Sequence, residues 1–400
     1  MSMPPPVLVL ATPSWNGDYM KSTVALTREL ARTHRVLYVE HPPTLTTQVR
    51  SVLHGDLETL RCTSRLRAVS FPDRHDVQIL TPPPVLPMNA LPPALYDRVL
   101  HWNARQIAPV IRRTLATLGM DRPVVLNALN PHYGVALADA FNESARIYYC
   151  YDELRARDWN GRHGGRMEDR YVTRVDAAVG TSSALYERLS ALHDNAYFVP
   201  NGVDFDLFHR AAPSDLADIA ANDVPCVGYL GSLDERLDYD LLNGLITAHP
   251  DWTFRFVGRV CVEEAHQLER HPNVTLTGPQ PPDALPEAVR QMDVGLIPFR
   301  RTPFTQSIYP LKVNEYLAAG RPVVSTAFAD LSDFAGVIHV AQTAGEFHHA
   351  VAAALRPAPP AEVNARIELA RSNSWTHRGR LLKDIVQRHT PTARPAAVMV

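Results

Sequence analysis

The sequence predicts an α/β protein built from two doubly wound parallel sheets. Three observations carry that expectation. Short apolar, β-branched runs alternate with helical segments along the chain, and strands read as continuous apolar runs when helices cover both faces of their sheet. The rhythm stops at a polar stretch near 205–222 and then restarts. A chain of 400 residues with 46% apolar and 20% charged residues fills two cores more readily than one.

The elements follow in order. The run Val7-Leu8-Val9-Leu10-Ala11 is a buried strand by its length and β-branched content. An amphipathic helix is expected over 20–33 and a strand over 35–39. Further strands are expected at 77–80, 124–126, 146–151, 177–180 and 196–199, with helices at 93–118, 133–141 and 184–192. After the polar stretch, strands are expected at 225–230, 253–257, 274–276, 294–298, 323–325 and 337–340. Helices are expected at 238–248, 263–270, 283–292, 310–319 and 343–355, and a strandless helical tail runs from 361 to about 388. Two such units place a cleft at the carboxyl edges of their strands, where ligands of doubly wound sheets bind.

Composition excludes several classes. Lys and Arg number 40 against 42 Asp and Glu, so the net charge is −2 and nucleic acid is not an expected partner. Cys62, Cys150, Cys226 and Cys261 lie far apart, which indicates neither a zinc ribbon nor a disulfide framework. No basic leader and no long apolar run is present, so a cytoplasmic protein is expected.

The most informative segment is Tyr309-Pro310-Leu311-Lys312-Val313-Asn314-Glu315-Tyr316-Leu317-Ala318-Ala319-Gly320. Pro310 suits a first helical position and Gly320 a C-cap. Lys312 and Glu315 then share one face of a short helix. Its N-terminus follows a strand and loop, so its N–H groups and Lys312 suit a phosphate, while Glu315 suits a ribose diol. The alternative is an ordinary surface ion pair.

The full wording, continued by Arg321-Pro322-Val323-Val324, resembles the donor helix of GT-B glycosyltransferases of the family 4 type. Pro200-Asn201-Gly202-Val203-Asp204, Val227-Gly228-Tyr229-Leu230-Gly231-Ser232, Phe256-Val257-Gly258, Asp293-Val294-Gly295-Leu296-Ile297-Pro298 and Asn373-Ser374-Trp375 are similar to its other segments, in the same order. Tyr149-Cys150-Tyr151-Asp152-Glu153 resembles the subgroup acting in teichuronic acid and surface-polysaccharide assembly. The resemblance implies two Rossmann-like domains facing across a cleft, with a last helix crossing back to the first domain. The domains expected are 1–204 on the acceptor side, 205–371 for the nucleotide sugar, the crossing helix 372–390 and a flexible tail 391–400.

The resemblance implies transfer of a sugar from a UDP- or GDP-sugar to a hydroxyl acceptor, with retention of anomeric configuration. Glu315 matches the acid on the ribose. Ile297 and Pro298 match a strand end whose backbone faces the base, with Arg259 near it. Gly231 and Ser232 match the loop that approaches the pyrophosphate. Ser307 stands where many members carry a second Glu, and Ser307 and Tyr309 are counted with the donor contacts. The basic pair expected after the glycine loop is replaced by Ser232 and Asp238. The diphosphate then falls to Arg236, Lys312 and helix N-termini.

On the acceptor side, Asp152 ends a strand where the family places a polar cleft residue. It would take a proton or stabilise positive charge, unless it only caps a helix. His132 is the rival base, and Trp159 and His163 flank a glycine-rich acceptor loop. The first turn, Thr12 to Ser22, resembles a glycine loop through Gly17. It also contains Lys21-Ser22, but Met20 stands where a P-loop requires glycine. Asp204-Phe205-Asp206 and Asp238-Tyr239-Asp240 read as turns or caps, so no cofactor and no metal is required. Arg98, Arg105, Arg112 and Arg113, interleaved with Trp102 and Ile107, suit either a solvated face or peripheral contact with a membrane bearing a lipid-linked acceptor. Glycans and small molecules are the other acceptors, and the oligomeric state is open. A non-catalytic nucleotide-sugar binder is the main alternative. An NAD-dependent dehydrogenase lacks its G-x-G-x-x-G here.

Overall fold

The computed structural model describes residues 4–16, 21–48, 63–156, 162–212 and 224–390. Gly17, Trp159 and the tail 391–400 lie outside them. The chain divides into two compact units. One runs to Val199 and resumes at Gly379; the other is Pro200–Arg378.

In the first unit, β1 (Val7–Ala11), β2 (Val36–Val39), β3 (Arg65–Phe71), β4 (Arg74–Thr81), β5 (Val124–Ala128), β6 (Ala145–Cys150), β7 (Ala177–Gly180) and β8 (Ala196–Phe198) form one sheet. Its order is β3-β4-β2-β1-β5-β6-β7-β8. All pairings are parallel except β3–β4. Its helices are α1 (Ser22–Leu30), α2 (Pro93–Thr117), α3 (Pro131–Ala136), α4 (Gly164–Val172) and α5 (Ser183–Ser190). β1, β2 and β5 to β7 are buried almost throughout because helices cover the sheet. The β3 hairpin is an addition to the expected elements. Its residues are mostly exposed, as befits an antiparallel edge strand, so no apolar run announces it.

The second unit holds β9 (Cys226–Leu230), β10 (Thr253–Val257), β11 (Val274–Leu276), β12 (Val294–Ile297), β13 (Val323–Thr326) and β14 (His339–Ala341) in the order β11-β10-β9-β12-β13-β14. Every pairing is parallel. Its helices are α6 (Phe205–His209), α7 (Tyr239–Ala248), α8 (Leu285–Arg290), α9 (Pro303–Gln306), α10 (Leu311–Ala318), α11 (Ala344–Ala354) and α12 (Pro360–Ser372). The expected helix at 263–270 is instead a 3₁₀ segment, Glu263–Arg270. Strand order reverses at β9, between β10 and β12, which marks the switch point.

The last helix, α13 (Trp375–His389), begins in the second unit and ends in the first. The first division falls at Val199 and Pro200 rather than after 204. The reason is local pairing: the Val203 N–H donates to the Asn373 carbonyl at 3.1 Å, and the Trp375 N–H to the Val203 carbonyl at 3.0 Å. In the first unit Gly379 lets α13 approach α1, since a Cβ there would lie 2.5 Å from Glu29 Cβ.

Candidate functional site

At the switch point β9 and β10 are each followed directly by glycine. Gly231 has φ +139° and Gly258 has φ +155°, conformations that side chains rarely allow. A Cβ on Gly258 would lie 1.9 Å from the Gly231 carbonyl oxygen. A Cβ on Gly231 would lie 2.1 Å from Lys312 Cε and 2.9 Å from its Nζ. The lysine side chain therefore crosses the bare end of β9. The Gly231 N–H continues the ladder to the Val257 carbonyl at 2.8 Å.

Lys312 and Glu315 are partly buried on α10, so they are not a solvated surface pair. Burial, then the nearby Arg236 charge, pull the Lys312 ammonium down to about 8, with Glu315 and Asp234 opposing. Burial pushes the Glu315 carboxyl up, and Lys312 offsets part of that. Each group is thus poised by low dielectric against the other's charge. Pro310 is the N-cap of α10 rather than its first residue, and no side chain caps the helix.

Arg236 does not stand as the lone cation expected. Asp234 holds it in a fork, with Nε to Oδ1 at 2.8 Å and Nη2 to Oδ2 at 2.6 Å. Burial works against its charge, but Asp234, with Tyr229 and Glu235, raises its pKa overall. Its guanidinium lies 5.3 Å from the centroid of Phe299. Asp234, unremarked in the sequence, is two residues away in a turn, and that spacing was the available signal. Ser232 is partly buried and Arg259 exposed; the Arg259 carbonyl accepts the Leu233 N–H at 2.8 Å, pairing the two glycine loops.

Other expected donor contacts are taken up by the fold. The Pro298 carbonyl accepts the Asp238 N–H at 2.8 Å. The Ile297 carbonyl lies 3.5 Å from the Ser325 hydroxyl and 3.4 Å from that of Thr326. The Ser307 hydroxyl is buried and donates to Phe304 at 2.6 Å. Tyr309 is buried with its ring 5.3 Å from Phe334, and burial pushes its phenol up to about 12. The two carbonyls and the Ser307 hydroxyl satisfy the fold first, because buried polar atoms need partners whatever the ligand, whereas the buried Tyr309 hydroxyl sits against Asn314 and Arg378.

Asp204 and Asp238 are helix N-caps, accepting from Leu207 N–H at 3.2 Å and Leu241 N–H at 3.0 Å. Among the described residues, no group of three or more His, Cys, Asp or Glu side chains is placed to hold a metal. A cavity of about 520 Å³ opens beside β12 to β14, lined by Asp238, Arg300, Arg301, Thr326 and His348 among others. None of the expected donor residues lines it.

In the first unit Asp152 follows β6. Its carboxylate accepts the Glu153 N–H at 3.0 Å. Capping of the next turn falls instead to Glu153, which accepts the Arg155 N–H at 2.9 Å and lies 3.3 Å from Arg188 Nε. His132 and His163 are brought together by Tyr96, which the sequence did not single out. The Tyr96 hydroxyl is 2.5 Å from His132 Nδ1, and its ring stacks on His163 at 3.8 Å. His163 Nε2 donates to the Leu91 carbonyl at 2.9 Å, and burial pulls its pKa down. Lys21 Nζ donates to the Ser14 and Asn16 carbonyls at 2.9 and 3.1 Å, binding its own loop. On α2, Arg98, Arg105, Arg112, Arg113 and Trp102 are exposed, whereas Ile107 is buried and does not share their face. No helix among the described residues is long and apolar enough to cross a membrane.

Residues 225–356 match the family described as Glycosyl transferases group 1. A candidate teichuronic acid biosynthesis glycosyltransferase of Bacillus subtilis (strain 168), TuaH, is 33% identical over 168 residues. That stretch is 40% of this chain and 42% of the relative, so less than half of either is aligned. Among solved structures, a UDP-forming α,α-trehalose-phosphate synthase of Burkholderia xenovorans, in complex with glucose-6-phosphate, superposes with a TM-score of 0.69 at 13% identity, covering 96% of this chain and 100% of the other. Anabaena Alr3699/HepE in complex with UDP gives 0.65 at 13% identity, covering 96% and 100%. At such identities the likeness shows the fold: two Rossmann-like α/β units.

Proposed function

We propose that this chain, whose residues 225–356 match the group 1 glycosyl transferases, moves a sugar from a nucleotide-diphosphate donor to a hydroxyl acceptor. The observation that carries the reading is Lys312 lying across the glycine end of β9, with Glu315 one turn on. Lys312 fills the space a Gly231 side chain would take, so a diphosphate at this end of β9 meets its positive charge. Glu315 accepts hydroxyl hydrogens of the ribose. Arg236, its charge shared with Asp234, adds a fixed dipole as the leaving diphosphate gains charge.

The first unit takes the acceptor. Asp152, which follows the end of β6, is the side chain assigned to the acceptor hydroxyl. Retention of configuration follows the family resemblance, with the leaving phosphate taking the acceptor proton. UDP or GDP is the expected carrier, and a surface polysaccharide or glycoconjugate the expected product. Asp204 and Asp238 are committed as caps, which supports chemistry without a metal. The exposed basic face of α2 supports contact with an anionic membrane bearing the acceptor.

The deciding experiment is a calorimetric and thermal-shift screen with UDP, GDP, ADP and their sugars. Binding of one nucleotide, with release of that nucleotide from its sugar, is the expected outcome. Binding without release would favour the second reading, a non-catalytic nucleotide-sugar binder. The neutralised Arg236 and the buried Ser307 hydroxyl are the observations that favour it.

A further inference from the structure

α10 has eight residues and no side-chain cap. A helix this short is not stable alone, so its rotation about its axis is set by what its buried face touches. Two polar side chains on that face make directional bonds.

Tyr316 is fully buried, and its hydroxyl accepts the Leu230 N–H at 2.7 Å. That N–H would otherwise be an orphan. The Gly231 N–H points to β10, so the Leu230 N–H points to the β12 side. The β9–β12 ladder stops at Val294↔Val227 and Gly295↔Gly228, because the strands part at the switch point. Gly295 lets the ring through: a Cβ there would lie 2.5 Å from it. The hydroxyl thus ties the helix carrying Lys312 to the residue just before Gly231, which Lys312 crosses.

Asn314 is the second bond. It is fully buried, and its Oδ1 accepts Asn373 Nδ2 at 2.9 Å. Asn373 Oδ1 in turn accepts Arg378 Nη2 at 2.6 Å. Asn314 and Arg378 also face the buried Tyr309 hydroxyl, which joins the same polar cluster.

We propose that Tyr316 and Asn314 are positioning residues of the donor site, holding α10 in the rotation that lays Lys312 over Gly231. This rests on the donor reading above. Neither side chain touches the nucleotide; each acts through the placement of Lys312 and Glu315.

The test measures calorimetric affinity for UDP, GDP and ADP against pH, with melting temperature recorded alongside. Tyr316→Phe leaves the Leu230 N–H unpaired, and Asn314→Ala removes the second bond. Each is expected to weaken nucleotide binding about tenfold. The pH midpoint of binding should move upward from about 8 as Lys312 regains solvent. Asn314→Asp keeps an oxygen that accepts from Asn373 and should bind nucleotide more tightly than Asn314→Ala. Should both weakening variants keep the parental affinity and midpoint while only their melting temperatures fall, the positioning role is overturned and the donor reading stands. Should the parent chain bind none of the three nucleotides, both fail. Hydrogen exchange on the unaltered chain guards against a variant that does not fold. The Leu230 amide should be protected and slow further with nucleotide, and exchange at the solvent rate would overturn the proposal.

Discussion

At Lys312 two effects oppose each other. Burial disfavours the ammonium and brings its loss of a proton to about 8, while a bound diphosphate favours the charge. Above that pH the free protein must take up a proton to bind, so affinity for nucleotide diphosphate should fall about tenfold per pH unit. Lys312→Arg should abolish the dependence below pH 10, since guanidinium stays charged. Lys312→Ala should weaken binding about tenfold to a hundredfold at pH 7. The free chain should behave in the opposite sense. Between about 8 and the ordinary 10.5 the unfolded state holds the extra proton, so stability rises with pH across that window. Denaturant titrations at pH 7.5 and 9.5 check the sign. Gly258→Ala places a Cβ 1.9 Å from a backbone oxygen and should cost about 1–3 kcal/mol in the same titration. Asp152→Asn should lower turnover while leaving nucleotide affinity unchanged; full turnover would remove Asp152 from the chemistry.

Elements show where pattern reading works and where it stops. Buried strands such as β1, β7 and β12 announce themselves, because continuous apolar runs fit between two helical layers. β3 does not, because an exposed edge strand has no required composition. α2 shows the same limit at one face. Its helical period was legible, but Ile107 faces the core while Trp102, 47% exposed, stands with the arginines. If that face meets an anionic surface, Arg98→Glu with Arg105→Glu should abolish co-sedimentation with anionic vesicles at low salt and leave nucleotide binding intact. Equal sedimentation of variant and parent would make the face an ordinary solvated one.

For the whole molecule, the carrier nucleotide and any metal are read from their effect on stability and turnover. Only a ligand that prefers the folded state raises the melting temperature, by an amount set by its concentration relative to its affinity. The cognate nucleotide should therefore stand apart in the screen, and EDTA should leave turnover unchanged; loss of activity with chelator would mean a metal is held. The amino-acid order by itself determined the two α/β units and the pairing of Lys312 with Glu315, since periodicity and i,i+3 spacing are local properties. Tertiary structure alone decided which polar groups remain available. Tyr96 joined His132 to His163, the Tyr316 hydroxyl took the Leu230 N–H, and Asn373 took Asn314. Each of these is a contest for hydrogen-bond partners, and its outcome depends on which chain segments folding brings within about 3 Å.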